Sequence, residues 1–431
     1  MLEQVLRRPQ RLLYLMVVGM AILFLSTYFS LSSHGSEQLR AHLDALKSVA
    51  LRKNGTVAVT PGPVNVTCAS FMEELQTMDN IRQHAVKGFD GRLYPPTFYP
   101  TEINTMPRAK AGFVVLVRNG DLEEMRSSMR DVEDRFNRKF GYPWIFLNNE
   151  PFNEEFKAGV KKMTRSETRF GLIPKEHWSY PDFIDQDKAA DTRRIMTEQR
   201  IIYGFSESYR HMCRFNSGFF FHHPLTQDLD YYWRVEPGIK LLCDIDYDPF
   251  LFMELNNIKY GFTISMHEYP LTIPTLWNVT REFVKQHPES LAKDNALHFI
   301  ADDPKKGMDQ EYNMCHFWSN FEIADLRFWR SKVYTSYFDF LDHNGGFFYE
   351  RWGDAPVHSI AASLFLNRSE IHHFEDIGYH HPPWTHCPAS VSKFHETGKC
   401  LCNPEDSADL GDFFCQWQWW RTSIEGKPDA A

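Results

Sequence analysis

The chain has no excess of positive charge. Its 47 lysines and arginines are outnumbered by 56 aspartates and glutamates, giving a net charge of −9 and a pI near 6.1 over 431 residues. No broad basic field exists to hold a phosphate backbone, so nucleic acid is not an expected partner. No GxGxxG follows a strand and no P-loop occurs, which removes dinucleotide-dependent dehydrogenases and P-loop nucleotidases. No internal repeat is visible. The cysteines and histidines lack the paired CxxC or Hx3H spacing of structural zinc sites.

One long apolar run is present. Leu12 to Leu31, "LLYLMVVGMAILFLSTYFSL", is uncharged and about as long as a helix that crosses a hydrocarbon core. Arg7, Arg8 and Arg11 precede it and the next charge after it is Glu37, so the amino end is expected in the cytosol and the rest in the lumen. A cleaved signal peptide has a similar layout, but its apolar region is usually about 7–15 residues, and an uncleaved anchor is the expectation. The short span suits a thin, early secretory membrane. The organisation expected is a cytoplasmic tail over 1–11, an anchor over 12–31, a stem over 32–105 and a lumenal domain over 106–431. The stem carries "KNGTVAVTPGPVNVT" and "YPPTFYPTEINTMP" and a helical stretch from Glu37 to Leu51.

Lumenal placement gives meaning to sequons at Asn54, Asn65, Asn278 and Asn367. It also permits disulfides among the eight cysteines. Cys387, Cys400, Cys402 and Cys415 crowd the carboxyl end with His372, His373, His380, His381, His386 and His395; local disulfide stapling is expected there in preference to zinc.

From Gly112 to Val117 the apolar run reads as a buried parallel strand. Asp121 is then placed to cap a helix whose Leu122, Met125, Met129, Val132, Phe136 and Phe140 recur at helical spacing. Gly141 ends it, and "PWIFLNN" completes a right-handed βαβ unit. Ligands of such folds sit beyond the carboxyl ends of the strands, where Arg118 and Asn119 fall. Further along, the pattern predicts one helix over Arg194–Phe215, a strand over Ile239–Asp248, a short apolar helix, and a strand over Lys259–Ser265. Helices are also predicted over Thr272–Pro288, Ala324–Phe340 and Ala355–Leu366. Within "LLCDIDYDPF", Asp244, Asp246 and Asp248 alternate as a tempting metal motif for a sugar nucleotide.

The segment Tyr312–Trp352, its continuation "GDAPVHSIAASLFL", and "FEDIGYHHPP", "YPWIFLNNEPF" and "YWRVEPGIKLLCDIDYDPF" together closely resemble the fungal Golgi α-1,2-mannosyltransferases, glycosyltransferase family fifteen. The resemblance covers roughly 106–383 with its motifs in order. It implies a GT-A-like α/β domain, a mixed central sheet flanked by helices. It further implies transfer of mannose from GDP-mannose to a mannosyl acceptor on glycoprotein or glycolipid, with Mn2+, retention of configuration and a Golgi membrane anchor. It points to Glu236 in "VEPG", Glu322 in "SNFEI", His381 in "GYHHPP" and Tyr209 in "SESYRH". Gly238 brings no second carboxylate, so the role carried over is that of Glu236 alone. The three aspartates are thereby demoted to strand-end hydrogen bonding or acceptor contacts.

Each residue also has a plainer reading. His381 can offer an imidazole to manganese beside Glu236, or be a turn histidine bonded to backbone. Glu322 can face the anomeric carbon as nucleophile or as stabiliser of an oxocarbenium ion, or be a helix-start carboxylate. Asp354 can N-cap the following helix, bind an acceptor hydroxyl or act as a base. Tyr209 can touch the donor or simply pack, and Arg118 can meet the guanine or phosphate edge or pair on the surface. The rival functions are a lumenal glycoside hydrolase, needing no nucleotide or metal, and a non-catalytic mannan-binding homologue.

Overall fold

Seven apolar segments pair into one mixed sheet. In chain order they are β1 Ala111–Leu116, β2 Trp144–Asn148, β3 Thr168–Leu172, β4 Tyr231–Arg234, β5 Tyr260–Phe262, β6 Glu322–Asp325 and β7 Ile371–His373. Their order across the sheet is β7-β5-β6-β4-β1-β2-β3. The strands β4, β1, β2 and β3 run parallel, while β6 is antiparallel to both β4 and β5. The computed structural model describes residues 77–88, 90–96 and 107–423. The expected tail, anchor and Glu37–Leu51 helix, the greater part of the stem, Asn54, Asn65 and Cys68 lie outside the described residues. Among the described residues no helix is long and apolar enough to cross a membrane.

The βαβ unit forms as the pattern predicts. Helix α1, Leu122–Val132, runs on through a π turn to Phe140 and stops at Gly141, whose φ of +76° suits a residue without Cβ. Met125, Met129, Val132, Phe136 and Phe140 are all buried. Asp121 does not cap α1, because a 3-10 turn over Asn119–Asp121 comes first; its carboxylate accepts from the Arg118 backbone N–H instead, at 3.1 Å.

Alternation along the strands divides two cores. Val114, Ile145, Leu147, Tyr232, Tyr260 and Ala324 face one; Phe113, Val115, Trp144, Phe146, Trp233 and Ile323 face the other, against α1. The first core is covered by α2 Glu207–Gly218, α3 Lys332–Asn344 and α4 Asp354–Phe365.

Three predicted elements change. Arg194–Phe215 is not one helix: Gln186–Glu198 ends, Arg200 and Tyr203 take φ of +57° and +55°, and α2 restarts where Ser206 Oγ accepts from the Tyr209 N–H. Ala324–Phe340 begins in β6; Asp325 caps a single turn at Leu326–Trp329 and Ser331 caps α3. Both breaks are side-chain oxygens competing for backbone N–H groups, which a hydrophobic period does not register. Of Ile239–Asp248, only Lys240–Leu241 is strand, since Asp248 already caps Pro249–Asn256.

Among the described residues the disulfides are Cys243–Cys400, Cys315–Cys415 and Cys387–Cys402, with Cys213 free and buried. Local stapling therefore describes only the last; the other two tie the carboxyl segment back to the middle of the chain. Of the remaining sequons, Asn278 is exposed on a helix, whereas the Asn367 amide donates to Glu370 and its oxygen accepts from the Asp294 N–H.

Loop closure makes these bridges unequal. Removing Cys315–Cys415, which spans 100 residues, is expected to cost roughly 4–5 kcal/mol, and removing Cys387–Cys402, which spans 15, about 3. Urea unfolding of the paired Cys→Ser variants measures both, and equal losses would contradict the assignment.

Candidate active site

Arg234 ends β4 and lies between its neighbours in register, opposite Val114 on one side and Glu322 on the other. The chain then turns at Glu236-Pro237-Gly238, where Gly238 adopts φ +84°. This brings Glu236 back onto its own strand: Arg234 Nε donates to Glu236 Oε1 at 3.0 Å and Nη2 donates to the same oxygen. Arg234 Nη1 donates to Asp354 Oδ2 and to Ser319 Oγ, and Ser319 Oγ also donates to Asp354 at 2.9 Å. A single guanidinium thus pairs with two carboxylates.

Glu236 has a second set of neighbours. Asn320 donates to its Oε2 at 2.6 Å, and His381 Nε2 lies 3.3 Å from the same atom. His381 is carried by a strand, Tyr379–His381, that pairs with Lys240–Leu241 just beyond the Gly238 turn. Tyr379 anchors that strand by donating to the Asn320 carbonyl at 3.0 Å, and Trp318 packs edge-on against the imidazole. Burial alone would raise the Glu236 pKa, but Arg234 and then His381 overcome it and hold the carboxyl down at about 2. Burial likewise opposes charge on His381, yet Glu236 raises its pKa above the ordinary value. Imidazole and carboxylate, both partly open to solvent, form a mixed nitrogen and oxygen donor pair that suits a divalent first-row ion in place of the shared proton.

Glu322 lies on the other side of Arg234 and is fully buried. Tyr232 donates to its Oε1, Tyr260 donates to Oε2 at 2.9 Å, and His358 Nδ1 is 3.0 Å from Oε2. Burial raises its pKa, against the lowering effect of His358. Arg234, Glu322, His358, Asn216, Phe215, Phe220 and Tyr232 line a narrow cavity.

The family sequence profile described as glycolipid 2-alpha-mannosyltransferase matches residues 73–424. The chain belongs to this family. It is similar to the Saccharomyces cerevisiae alpha-1,2 mannosyltransferase KTR1, 56% identical over 324 residues, which are 75% of this chain and 81% of that one. Core-mannan synthase A of Aspergillus fumigatus, solved in a Mn/GDP form, superposes with a TM-score of 0.68 at 42% identity, covering 75% of this chain and 87% of the other. The S. cerevisiae mannosyltransferase Ktr4p, solved with GDP, gives 0.71 at 38% identity, covering 82% and 96%. The mixed α/β sheet is the glycosyltransferase fold of these relatives.

Of the residues the sequence singled out, Glu236, His381, Asp354 and Glu322 converge around Arg234. Tyr209 stacks on Tyr203 with 4.5 Å between centroids, and the Arg351 guanidinium lies 5.1 Å from its ring. Arg118 is mostly exposed and paired with Asp121 at 3.3 Å. Asp354 is not the N-cap of α4: Gly353 holds that position, and Asp354 Oδ2 accepts from Arg234 and Ser319. The three alternating aspartates serve the fold. Asp244 pairs with Arg135, Asp246 with Lys399, and Asp248 caps a helix and accepts from Tyr142.

Sequence reasoning missed Arg234, His358, Tyr232, Tyr260 and Arg351. Arg234 had a signal, a cation inside the aromatic run "YYWRVEPG" with a glutamate two residues on. His358, a lone histidine on an apolar helix, had none. Among the described residues two further groups stand close enough to hold a metal. In one, Cys315 and Cys415 are consumed by their disulfide. In the other, His386 gives one ring nitrogen to Asp409 at 2.8 Å and the other to the Glu375 carbonyl at 3.0 Å. Burial disfavours that charge, but Asp409 beside it holds the imidazolium pKa at about 9.

Because Glu236 titrates lower when folded than the 4.5 of a free glutamate, its contribution is present above that value and lost as pH falls toward about 2. Urea unfolding in a chelator is expected to weaken over that window in the wild type. Glu236→Gln should flatten the dependence; an unchanged slope would contradict it.

Proposed function

We propose that the chain is a type II Golgi membrane enzyme. It moves mannose from GDP-mannose to a mannosyl acceptor in α-1,2 linkage with retention, extending N- or O-linked chains on glycoproteins. Leu12–Leu31 is its uncleaved anchor and the remainder is lumenal. The observation that carries the reading is Arg234 joining two neighbouring sets of side chains: Glu236 with His381, and Glu322 with its donors.

Cleaving a glycosyl diphosphate develops negative charge on the leaving group and positive charge on the sugar ring. His381 and Glu236 would hold Mn2+, which would supply Lewis-acid stabilisation of the diphosphate. Arg234 keeps Glu236 ionised for that task, and Asn320 orients it. Tyr209 and Arg351 offer a hydroxyl and a guanidinium to the donor phosphates, and Arg118, just beyond the carboxyl end of β1, meets the guanine or phosphate edge. Glu322 faces the anomeric carbon, where a buried carboxylate acts on developing positive charge without competing water. Asp354, fixed beside Arg234 and Ser319, receives the acceptor hydroxyl.

The purified full-length chain in detergent, given GDP-mannose and methyl α-mannoside, is expected to form disaccharide and GDP with Mn2+ and not with a chelator. Mannoside cleavage without donor, or binding without turnover, would overturn the reading. Glu322→Gln should lower kcat by about a hundredfold or more while GDP-mannose affinity changes little. His381→Asn should raise the Mn2+ concentration for half-maximal rate about tenfold or more; wild-type metal dependence in that variant would remove His381 from the metal.

A further inference from the structure

His358 is a titratable side chain of the Glu322 pocket that the proposed reaction leaves without a task. It sits on α4, fully buried, with its ring stacked on Trp329 at 4.3 Å between centroids. Its Nε2 is 3.1 Å from the Asn216 carbonyl oxygen. A carbonyl only accepts, so Nε2 carries a hydrogen and the tautomer is fixed. The other nitrogen, Nδ1, is then either protonated or a bare lone pair. It lies 3.0 Å from Glu322 Oε2, a distance that a lone pair and a carboxylate oxygen hold only with a proton between them. Glu322 and His358 therefore share one proton, and its position decides whether Glu322 is a carboxylate or a carboxylic acid.

The remaining neighbours place that proton. The Trp329 indole can only donate, and it donates to the Tyr232 oxygen at 3.2 Å. Tyr232 thus has its own hydrogen to give to Glu322 Oε1. Tyr260 gives a second hydrogen to Oε2. From β4, Arg234 stands opposite Glu322 in register and lines the same cavity. On α4, Asp354 lies one turn before His358, is itself bonded to Arg234, and adds a negative field at both groups. From α3, Tyr334 packs against the His358 ring and donates its hydroxyl to the Ser217 carbonyl, away from Glu322. Two hydroxyl donors aimed at the carboxylate favour its charged form.

We infer that His358 is a positioning residue which keeps the shared proton on its imidazole, so that Glu322 enters the reaction as a carboxylate despite complete burial. The inference rests on the assignment of Glu322 to the anomeric carbon. His358 touches neither donor nor acceptor; it acts through Glu322, and Asn216 acts through His358 by fixing its tautomer.

His358→Asn keeps a neutral donor near the Nδ1 position and removes the cation. Burial then favours the acid form of Glu322, so the acid limb of kcat against pH is expected to move to higher pH by about one unit or more, with about a tenfold loss on that limb. At the plateau the rate should recover to near wild type, and KM for GDP-mannose should stay within about twofold. A rate lowered equally at every pH, or an unshifted limb, would overturn the inference while leaving the transferase reading in place. A wild-type chain that transfers no mannose would overturn both.

Infrared difference spectra give a readout without turnover. The wild type at pH 7 should show no protonated carboxyl band that Glu322→Gln removes, and His358→Asn should show one. Such a band in the wild type would place the proton on Glu322 and overturn the inference.

Discussion

The largely buried guanidinium of Arg234 is the constraint on which the site depends. A charge with so little solvent contact persists only when paired and hydrogen-bonded, and Arg234 meets that demand from three directions: Glu236 on its own chain turn, Ser319 before β6, and Asp354 on the first turn of α4. Asp354 also lies at the helix N-terminus, where the macrodipole favours a negative charge. Fixing it fixes the rotation of α4. His358 follows Asp354 by four residues, so it occupies the same helix face and is delivered to Glu322. One ion pair in the sheet thereby positions the second cluster as well as the first.

Pleating does the rest. Tyr232 and Arg234 alternate with Trp233, and Glu322 alternates with Ile323, so the polar side chains share one face and the apolar ones leave for the opposite core. Tyr260 joins them because β5 pairs with β6 on that same face. Around this network pack Phe215, Phe220 and Trp329, which exclude water and make each hydrogen bond to Glu322 count for more than it would in solvent. The side near His381 is more open, as the proposed ion and diphosphate require.

The parts of this arrangement legible in the sequence were those written locally. An apolar run of six, a helical period ending in Gly141 and a second apolar run spelled out β1, α1 and β2. Elements ended by side-chain capping were misjudged: Asp325 and Ser331 cut a predicted helix into strand, turn and helix because their oxygens capture N–H groups that hydropathy does not weigh. The pairing of Cys243 with Cys400 and of Cys315 with Cys415 was not legible, since connectivity is set by the fold. At the site, Glu236, Glu322 and His381 were reached through family motifs, and Asp354 through its place before Ala355 and Pro356 at the start of a predicted helix. What bound them together was not reached, because Arg234, His358 and Tyr260 acquire meaning only through register and helix rotation.

The most direct test of Arg234 as the organising charge is a double-mutant cycle on stability. Urea unfolding of Arg234→Met, Asp354→Asn and the double variant gives the coupling energy. A buried pair predicts a large loss, about 3–5 kcal/mol, when the arginine alone is removed, because Asp354 then loses its paired cation and Glu236 keeps His381 alone. The double variant should recover part of that loss, with a coupling of about 2 kcal/mol or more. Additive losses, with no recovery in the double variant, would contradict the account.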